Sequence, residues 1–304
     1  MPHSAGGSPS GDAHTSPEHT RKYTTTRSRN AEPPFGQGPT IMPRFALLAD
    51  IHANLEALEA VLDDLSRVDV DHSICLGDVV GYGADPAACV ELVYDCCDSV
   101  VLGNHDEAVF SDMPLDRFND KARASIEYTR RTIGALHRRA IADWPLADCV
   151  EGLTLAHASL GPDRWEYLYT QQAAKRTFDA FRGWIAAVGH THIPSAFSMV
   201  AQPALAMVDS SGERLEGSAR EVIRGHHLTP EISISLPQGA RFIVNPGAVG
   251  QPRDGNPDAS YAILDTSART IQIRRVAYDL DTTIRKIADA GLPTPLADRL
   301  RVGA

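Results

Sequence analysis

Nowhere does this sequence run apolar for anything near the ~20 residues that span a bilayer, so no membrane-crossing helix and no membrane partner are expected. Its first twenty residues, MPHSAGGSPSGDAHTSPEHT, lack the apolar centre of a secretory signal. Cysteine is sparse. The five are Cys75, Cys89, Cys96, Cys97 and Cys149, an odd number with no CxxC pair. That pattern excludes a thiolate zinc motif and argues against a disulfide framework, leaving a reduced cytoplasmic protein with small buried thiols as the reading. Positive charge is also short: 29 Lys and Arg against 39 Asp and Glu give a net charge of −10. A chain that grips nucleic acid does so with Lys and Arg against phosphates, so nucleic acid is disfavoured as a partner.

Residues 1–42 are nearly devoid of aliphatic side chains and rich in Ser, Thr, Gly, Pro and His. Such a segment cannot bury enough apolar surface to offset its ordering entropy, and a disordered tail is expected. From residue 43 to 304 the composition is globular, and a single domain is expected there. Phe45–Ala49 reads as a buried strand ending at Asp50. In NLEALEAVLDDLSR, Leu55, Leu58, Val61, Leu62 and Leu65 share one helical face, with Asn54 as the cap. Ser73–Leu76 and Ser99–Leu102 read as strands, and Asp85-Pro86 opens a helix between them. This β-α-β-α-β order indicates a parallel sheet with covering helices. Further on, 119–142 reads as one long helical stretch and 173–184 as another. Leu153–Ala156 and Ile185–Val188 read as strands before His157 and Gly189. The segments 232–236, 241–244, 260–264 and 270–276 are β-like, and a last helix covers about 281–290. Residues 201–230 are weakly patterned and fit a loop or an edge hairpin.

Five strand ends carry the chemistry. They read Asp50-Ile51-His52, Gly77-Asp78, Gly103-Asn104-His105-Asp106, His157 and Gly189-His190-Thr191-His192. Open parallel sheets bind ligands at the carboxyl ends of their strands, so Asp, Asn and His from all five stretches converge on one edge. Mixed carboxylate, amide and imidazole donors suit Mn²⁺, Fe²⁺, Zn²⁺, Ni²⁺ or Co²⁺ better than Ca²⁺. Seven candidates (Asp50, His52, Asp78, Asn104, His157, His190 and His192) exceed the needs of one tetrahedral ion and suffice for two with open positions. Each fragment alone occurs often by chance; the ordered set does not. Around it, Tyr82 either lines the cleft or packs as a turn aromatic. Arg253 either meets substrate phosphate or forms a surface ion pair. Asn54 either caps its helix or also supports the first loop. Trp165 and Tyr167 read as lid or core packing.

The set DxH, GD, GNHD, H, GHTH resembles the calcineurin-like metallophosphoesterase superfamily. DIHANLEALEAVL, LGDVVGYG, NPGAVGQPRDG and AGLPTPLADRL look like its small prokaryotic phosphodiesterase-type branch. The likeness spans residues 44 to about 303. It implies a four-layer α/β/β/α sandwich. It implies that Asp50, His52 and His192 hold one metal, that Asn104, His157 and His190 hold a second, and that Asp78 bridges them. His105 is implied as a non-ligand that protonates the leaving group or steadies phosphoryl oxygens, oriented by Asp106. The expected activity is hydrolysis of a phosphodiester or nucleotide-type ester by metal-bound hydroxide. The alternatives are a phosphomonoesterase or protein Ser/Thr phosphatase, and a non-catalytic metal or nucleotide sensor.

Overall fold

The structure, a computed structural model, describes residues 43–202, 207–208, 214–215 and 220–304; the expected tail lies outside the described residues. Along the chain the elements are β1 (Arg44–Leu48), α1 (Leu55–Leu65), β2 (His72–Cys75), α2 (Pro86–Cys96), β3 (Ser99–Val100), α3 (Asn104–Phe110), α4 (Asp120–Thr132), α5 (Ala135–Ala142), β4 (Ala147–Val150), β5 (Leu153–Ala156), α6 (Gln171–Ala180), β6 (Ile185–Ala187) and β7 (Pro194–Gln202). There follow β8 (Met207–Val208), β9 (Arg214–Leu215), β10 (Arg220–His227), β11 (Ser233–Ser235), β12 (Ala240–Pro246), β13 (Ala259–Asp265), β14 (Thr270–Val276), α7 (Leu280–Asp289) and α8 (Thr294–Asp298).

Two six-stranded sheets form, ordered β11-β14-β13-β1-β2-β3 and β10-β7-β12-β6-β5-β4. In the first, β1, β2 and β3 are parallel and β13 is antiparallel to β1. In the second, β5, β6 and β12 are parallel and β7 is antiparallel to β12. Strand alternation sorts side chains into layers. Phe45 and Leu47 of β1 face the space between the sheets with Leu155 and Val244. Ala46 and Leu48 face α1 and α2, against Leu58, Val61 and Val90. On the far side of the second sheet Ala186 and Ile243 pack on Phe178 of α6. The result is the expected α/β/β/α sandwich. The Asp64 carboxylate on α1 adds a polar tie, accepting from Tyr261 Oη at 2.7 Å and from Arg274 Nε and Nη2 at 2.9 and 3.0 Å.

Two expectations change and one open reading narrows. The 119–142 stretch is two helices, because Ile133 is extended and buried and Gly134 starts α5 afresh. The 173–184 helix stops at Ala180: Phe181 turns into the core, where the Arg241 guanidinium lies over its ring and donates to Gly183 O. For 201–230, sequence left a loop or an edge hairpin open; the described residues 201–202 and 220–227 belong to an edge hairpin, with β7 and β10 paired from Ser195↔His227 to Gln202↔Arg220. Among the described residues no helix is long and apolar enough to cross a membrane.

Candidate metal centre

The parallel strands of both sheets end on the same side. β1 and β2 deliver Asp50, His52 and Asp78, and α3 begins with Asn104 and His105 right after β3. β5 and β6 deliver His157, His190 and His192 from the second sheet. The two sheets are stitched here: the His190 N–H donates to Asp50 Oδ2 at 2.9 Å, and His157 Nδ1 donates to Leu76 O at 2.7 Å. Asp50, His52, Asp78, His190 and His192 all have left-handed backbone, with φ of 54°, 51°, 52°, 69° and 61°. Such conformations cost about 1–3 kcal/mol each for residues with a side chain and concentrate where function over-determines the backbone. Two glycines make room for the carboxylates. A Cβ at Gly103 would collide with Asp78 Oδ1, and one at Gly189 would come within 2.7 Å of Asp50 Oδ2.

Six of the seven expected ligands are buried, and Asn104 is half-buried. Their imidazoles are oriented from outside the site. His52 Nδ1 meets Val80 O at 3.1 Å, His192 Nδ1 meets Gln251 O at 2.6 Å, and His190 Nε2 meets Trp165 O at 3.1 Å. A carbonyl only accepts, so each of these nitrogens carries the hydrogen, as does His157 Nδ1. The inward nitrogen of each neutral ring is then a lone pair. Yet His52 Nε2 and His192 Nε2 stand 3.2 Å apart, and His157 Nε2 and His190 Nδ1 stand 3.1 Å apart. Two lone pairs facing each other at that distance need a cation to share. Asn104 Oδ1, buried without a hydrogen-bond partner among the described residues, is a further open acceptor. The donor set fits a divalent metal.

The carboxylates complete two clusters, Asp50-His52-His192 and Asp78-His157-His190, each with donor atoms within 4.8 Å of one another. Asp78 Oδ1 accepts the His105 N–H at 2.9 Å, which leaves Oδ2 3.3 Å from His157 Nε2 and 3.7 Å from His52 Nε2. Asp78 therefore faces both clusters. Burial opposes the charge on Asp50 and Asp78, but the surrounding histidines outweigh it and hold both carboxyls below the usual range. Burial pushes His52 well down and His190 to about 3. Burial also pulls on His157, yet Asp78, Asp50 and the Leu76 carbonyl raise it to about 9; a proton there sits where a cation would.

Five more expected residues take definite places. His105 is buried, 4.9 Å ring to ring from His52, with Nδ1 unpartnered among the described residues. Asp106 accepts from Val80 N–H through Oδ1 and Gly103 N–H through Oδ2, both at 3.1 Å. Among the described residues its hydrogen bonds thus run to the backbone of two site loops. Tyr82 is buried with its ring 4.5 Å from those of His52 and His105, as the packing reading has it. Arg253 lies 5.9 Å from the Tyr82 ring and forms no ion pair among the described residues. Asn54 caps α1, as the capping reading has it, and also donates to Gly250 O at 2.9 Å, which ties the helix start to the loop after β12.

Sequence reasoning missed the residues that aim these side chains. Asn245 Nδ2 donates to Gly189 O at 2.6 Å and Thr191 Oγ1 at 3.0 Å, fixing the GHTH loop. Gln251 orients His192 through its carbonyl. Both lie in the NPGAVGQPRDG segment, whose polar residues within a Gly/Pro loop were the available signal. Tyr167, half exposed, stacks on His190 at 4.0 Å and on Tyr169 at 5.4 Å.

Residues 44–269 match the family model described as the calcineurin-like phosphoesterase superfamily domain. The protein MJ0912 of Methanocaldococcus jannaschii is 36% identical over 264 residues, which cover 85% of this chain and 97% of that one. A metallophosphoesterase from Sphaerobacter thermophilus superposes with a TM-score of 0.70 at 36% identity, covering 86% of this chain and 99% of the other. Protein PH1004 from Pyrococcus horikoshii shares the fold at a TM-score of 0.61 and 19% identity, covering 86% and 98%. With a His/Asp cluster suited to divalent metal at its strand ends, this chain is a phosphoric ester hydrolase that belongs to the calcineurin-like phosphoesterase superfamily.

Proposed function

We propose that the protein is a dinuclear phosphoesterase acting on a phosphodiester or nucleotide-type ester, and that residues 43–304 form one domain around that site. The observation that carries this reading is the close approach of two inward imidazole nitrogens in each cluster, 3.2 Å in one and 3.1 Å in the other, while the outer nitrogens are bonded to carbonyls. Asp50, His52 and His192 would hold one ion, Asn104, His157 and His190 the other, with Asp78 between them. Oxygen and imidazole donors without thiolate suit Mn²⁺, Fe²⁺, Zn²⁺, Ni²⁺ or Co²⁺. When bound, two such ions polarise a phosphoryl group and bring the pKa of a water down towards ~7.

The chain's own part is to aim and to enclose. Carbonyls of Leu76, Val80, Trp165 and Gln251 fix the four rings, and Asp106 ties the loop after β2 to that after β3. Burial, opposed by Asp78, holds His105 down at about 4, so it stands neutral at physiological pH. A neutral imidazole donates one N–H, which favours steadying a phosphoryl oxygen over protonating the leaving group. Tyr82 and Phe118, packed on the His105 ring, keep water from that side. The half-exposed Tyr167 and exposed Tyr169 beside His190 offer an aromatic face suited to a nucleobase. That face supports a nucleotide-type ester over a protein phosphoserine.

The test is hydrolysis of bis-p-nitrophenyl phosphate and p-nitrophenyl phosphate after chelation, with Mn²⁺, Ni²⁺ or Zn²⁺ restored. Turnover that returns with metal and favours the diester is expected. A preference for the monoester would replace the diesterase reading with a phosphatase. No turnover in protein that binds two ions would point to a sensor.

A further inference from the structure

The AGLPTPLADRL segment has no part in the metal centre, yet it brings a charge to it. Arg299 lies in the turn that follows α8. Its Nη1 donates to Gln251 Oε1 at 2.9 Å, and Arg253 Nη2 donates to the same oxygen at 3.0 Å. One neutral amide oxygen thus holds two guanidinium groups. Among the described residues neither has a recorded Asp or Glu partner. The nearest acid along the chain from Arg253, Asp254, is taken by Arg275, and Asp281 pairs with Arg301 at 3.5 Å. Arg253 Nε is buried with no hydrogen-bond partner among the described residues.

Gln251 is only 2% exposed and joins this pair directly to the metal centre, since its backbone carbonyl orients His192. From the other side, Tyr82 spans from the His52 and His105 rings to Arg253. The C-terminal turn is held against the Arg253 loop by Gly255 N–H donating to Gly303 O at 2.9 Å. Arg299 Nε also donates to Ala304 O, whereas Arg253 has no such further acceptor among the described residues. Two guanidinium groups kept together beside a site that also takes divalent metal are costly unless an anion joins them. Burial and the adjacent Arg253 charge depress Arg299, in line with that cost. Guanidinium forks match phosphate oxygens two at a time.

We propose that Arg253 and Arg299, bridged by Gln251, form a second phosphate subsite beside the metal centre, so that the substrate carries a second phosphate besides the ester cleaved. This rests on the phosphoesterase reading above and narrows it to diphosphate-containing esters. Arg253 then serves a neighbouring phosphate and not the one under attack.

The experiment is calorimetric titration of the metal-loaded full chain with AMP and with α,β-methylene-ADP, which share the base and differ by one phosphate group. Metal content is checked after each titration, because diphosphates chelate. The diphosphate analogue should bind about tenfold tighter or more, a difference on the scale of a charge-assisted fork. Arg299→Gln should abolish that preference while AMP binding persists, and Arg299→Lys should recover only part of it. Arg253→Gln, on the opposite side of the same amide, should give the same collapse and carries the test if the C-terminal variant does not fold. Equal affinity of the two nucleotides in the parent protein, or an undiminished preference in both Gln variants, would overturn the proposal. Binding is read without turnover, so an inactive protein that still prefers the diphosphate would sink the hydrolase reading alone.

Discussion

The two candidate ligand clusters are equally buried but unequally supported. In the Asp50-His52-His192 cluster the outer nitrogens of both rings rest on carbonyls of the inner loops, Val80 and Gln251. In the Asp78-His157-His190 cluster, Leu76 is a comparable anchor for His157, but His190 hangs on the Trp165 carbonyl. That carbonyl belongs to the loop between β5 and α6, which also carries the half-exposed Tyr167. The loop is pinned by pairs at the surface, Arg176 with Glu166 and Arg164 with Glu107. Exposed pairs contribute about 0–1 kcal/mol each. Burial of a ligand therefore says little about how firmly it is aimed; what matters is whether its outer atom rests on the core or on a surface loop. The second cluster should be the one that exchanges its ion.

The largest effect expected is from Asp78→Ala. Asp78 faces both clusters, so the comparison should collapse, with metal content falling at both sites and hydrolysis lost. Loss of a single equivalent by elemental analysis would mean Asp78 serves only one cluster. Next, His105→Ala should lower kcat by about 10²–10³-fold, the span of a lost donor to a charged transition-state oxygen, with both ions retained. Full activity would remove His105 from the chemistry.

Tyr167→Ala tests the asymmetry itself. Stripping the ring from His190 should weaken one site by about tenfold, the low end for a group supporting a ligand, and leave the other unchanged. Chelator competition reads this as two separated phases; equal weakening of both would refute the comparison. The smallest effect is a control remote from both clusters. Arg274 holds the Asp64 carboxyl below its ordinary value. A carboxyl depressed on folding adds stability that is fully present above its unfolded pKa and fades as pH falls through the folded one. Asp64→Asn should thus cost about 1 kcal/mol or less at pH 7, little at pH 3, and no metal. Thermal melts at the two pH values measure it.

Much of this was legible before any coordinates. Strands bounded by Asp50, Asp78, Asn104, His157 and His190 announce themselves because apolar runs stop at chemically distinct residues. β7 and β10 were not legible: they are at or beside a sheet edge, where Ser195, Ser198, Arg224 and His226 interrupt the apolar alternation that marks a half-buried strand. The Gly134 break was visible as a glycine but not as a helix end, since an isolated glycine is tolerated within helices. In the site, ligand candidates were readable from residue type. Their orientation was not, because it is set by backbone carbonyls of Leu76, Val80 and Trp165, which any residue could supply. Arg299 was invisible for another reason: 46 residues separate it from Arg253, and only folding brings both to Gln251.

The left-handed backbone at five of the ligand positions has a consequence for how this sequence can vary. Asp, Asn and His are among the side chains that adopt that conformation most readily, while β-branched residues resist it. Backbone and chemistry thus select the same letters there. A randomised library at Asp50, His52, Asp78, His190 and His192, screened for folding alone with no metal and no substrate, should still return few valines or isoleucines. Part of what looks like an active-site signature in such a chain is a requirement of the loops themselves.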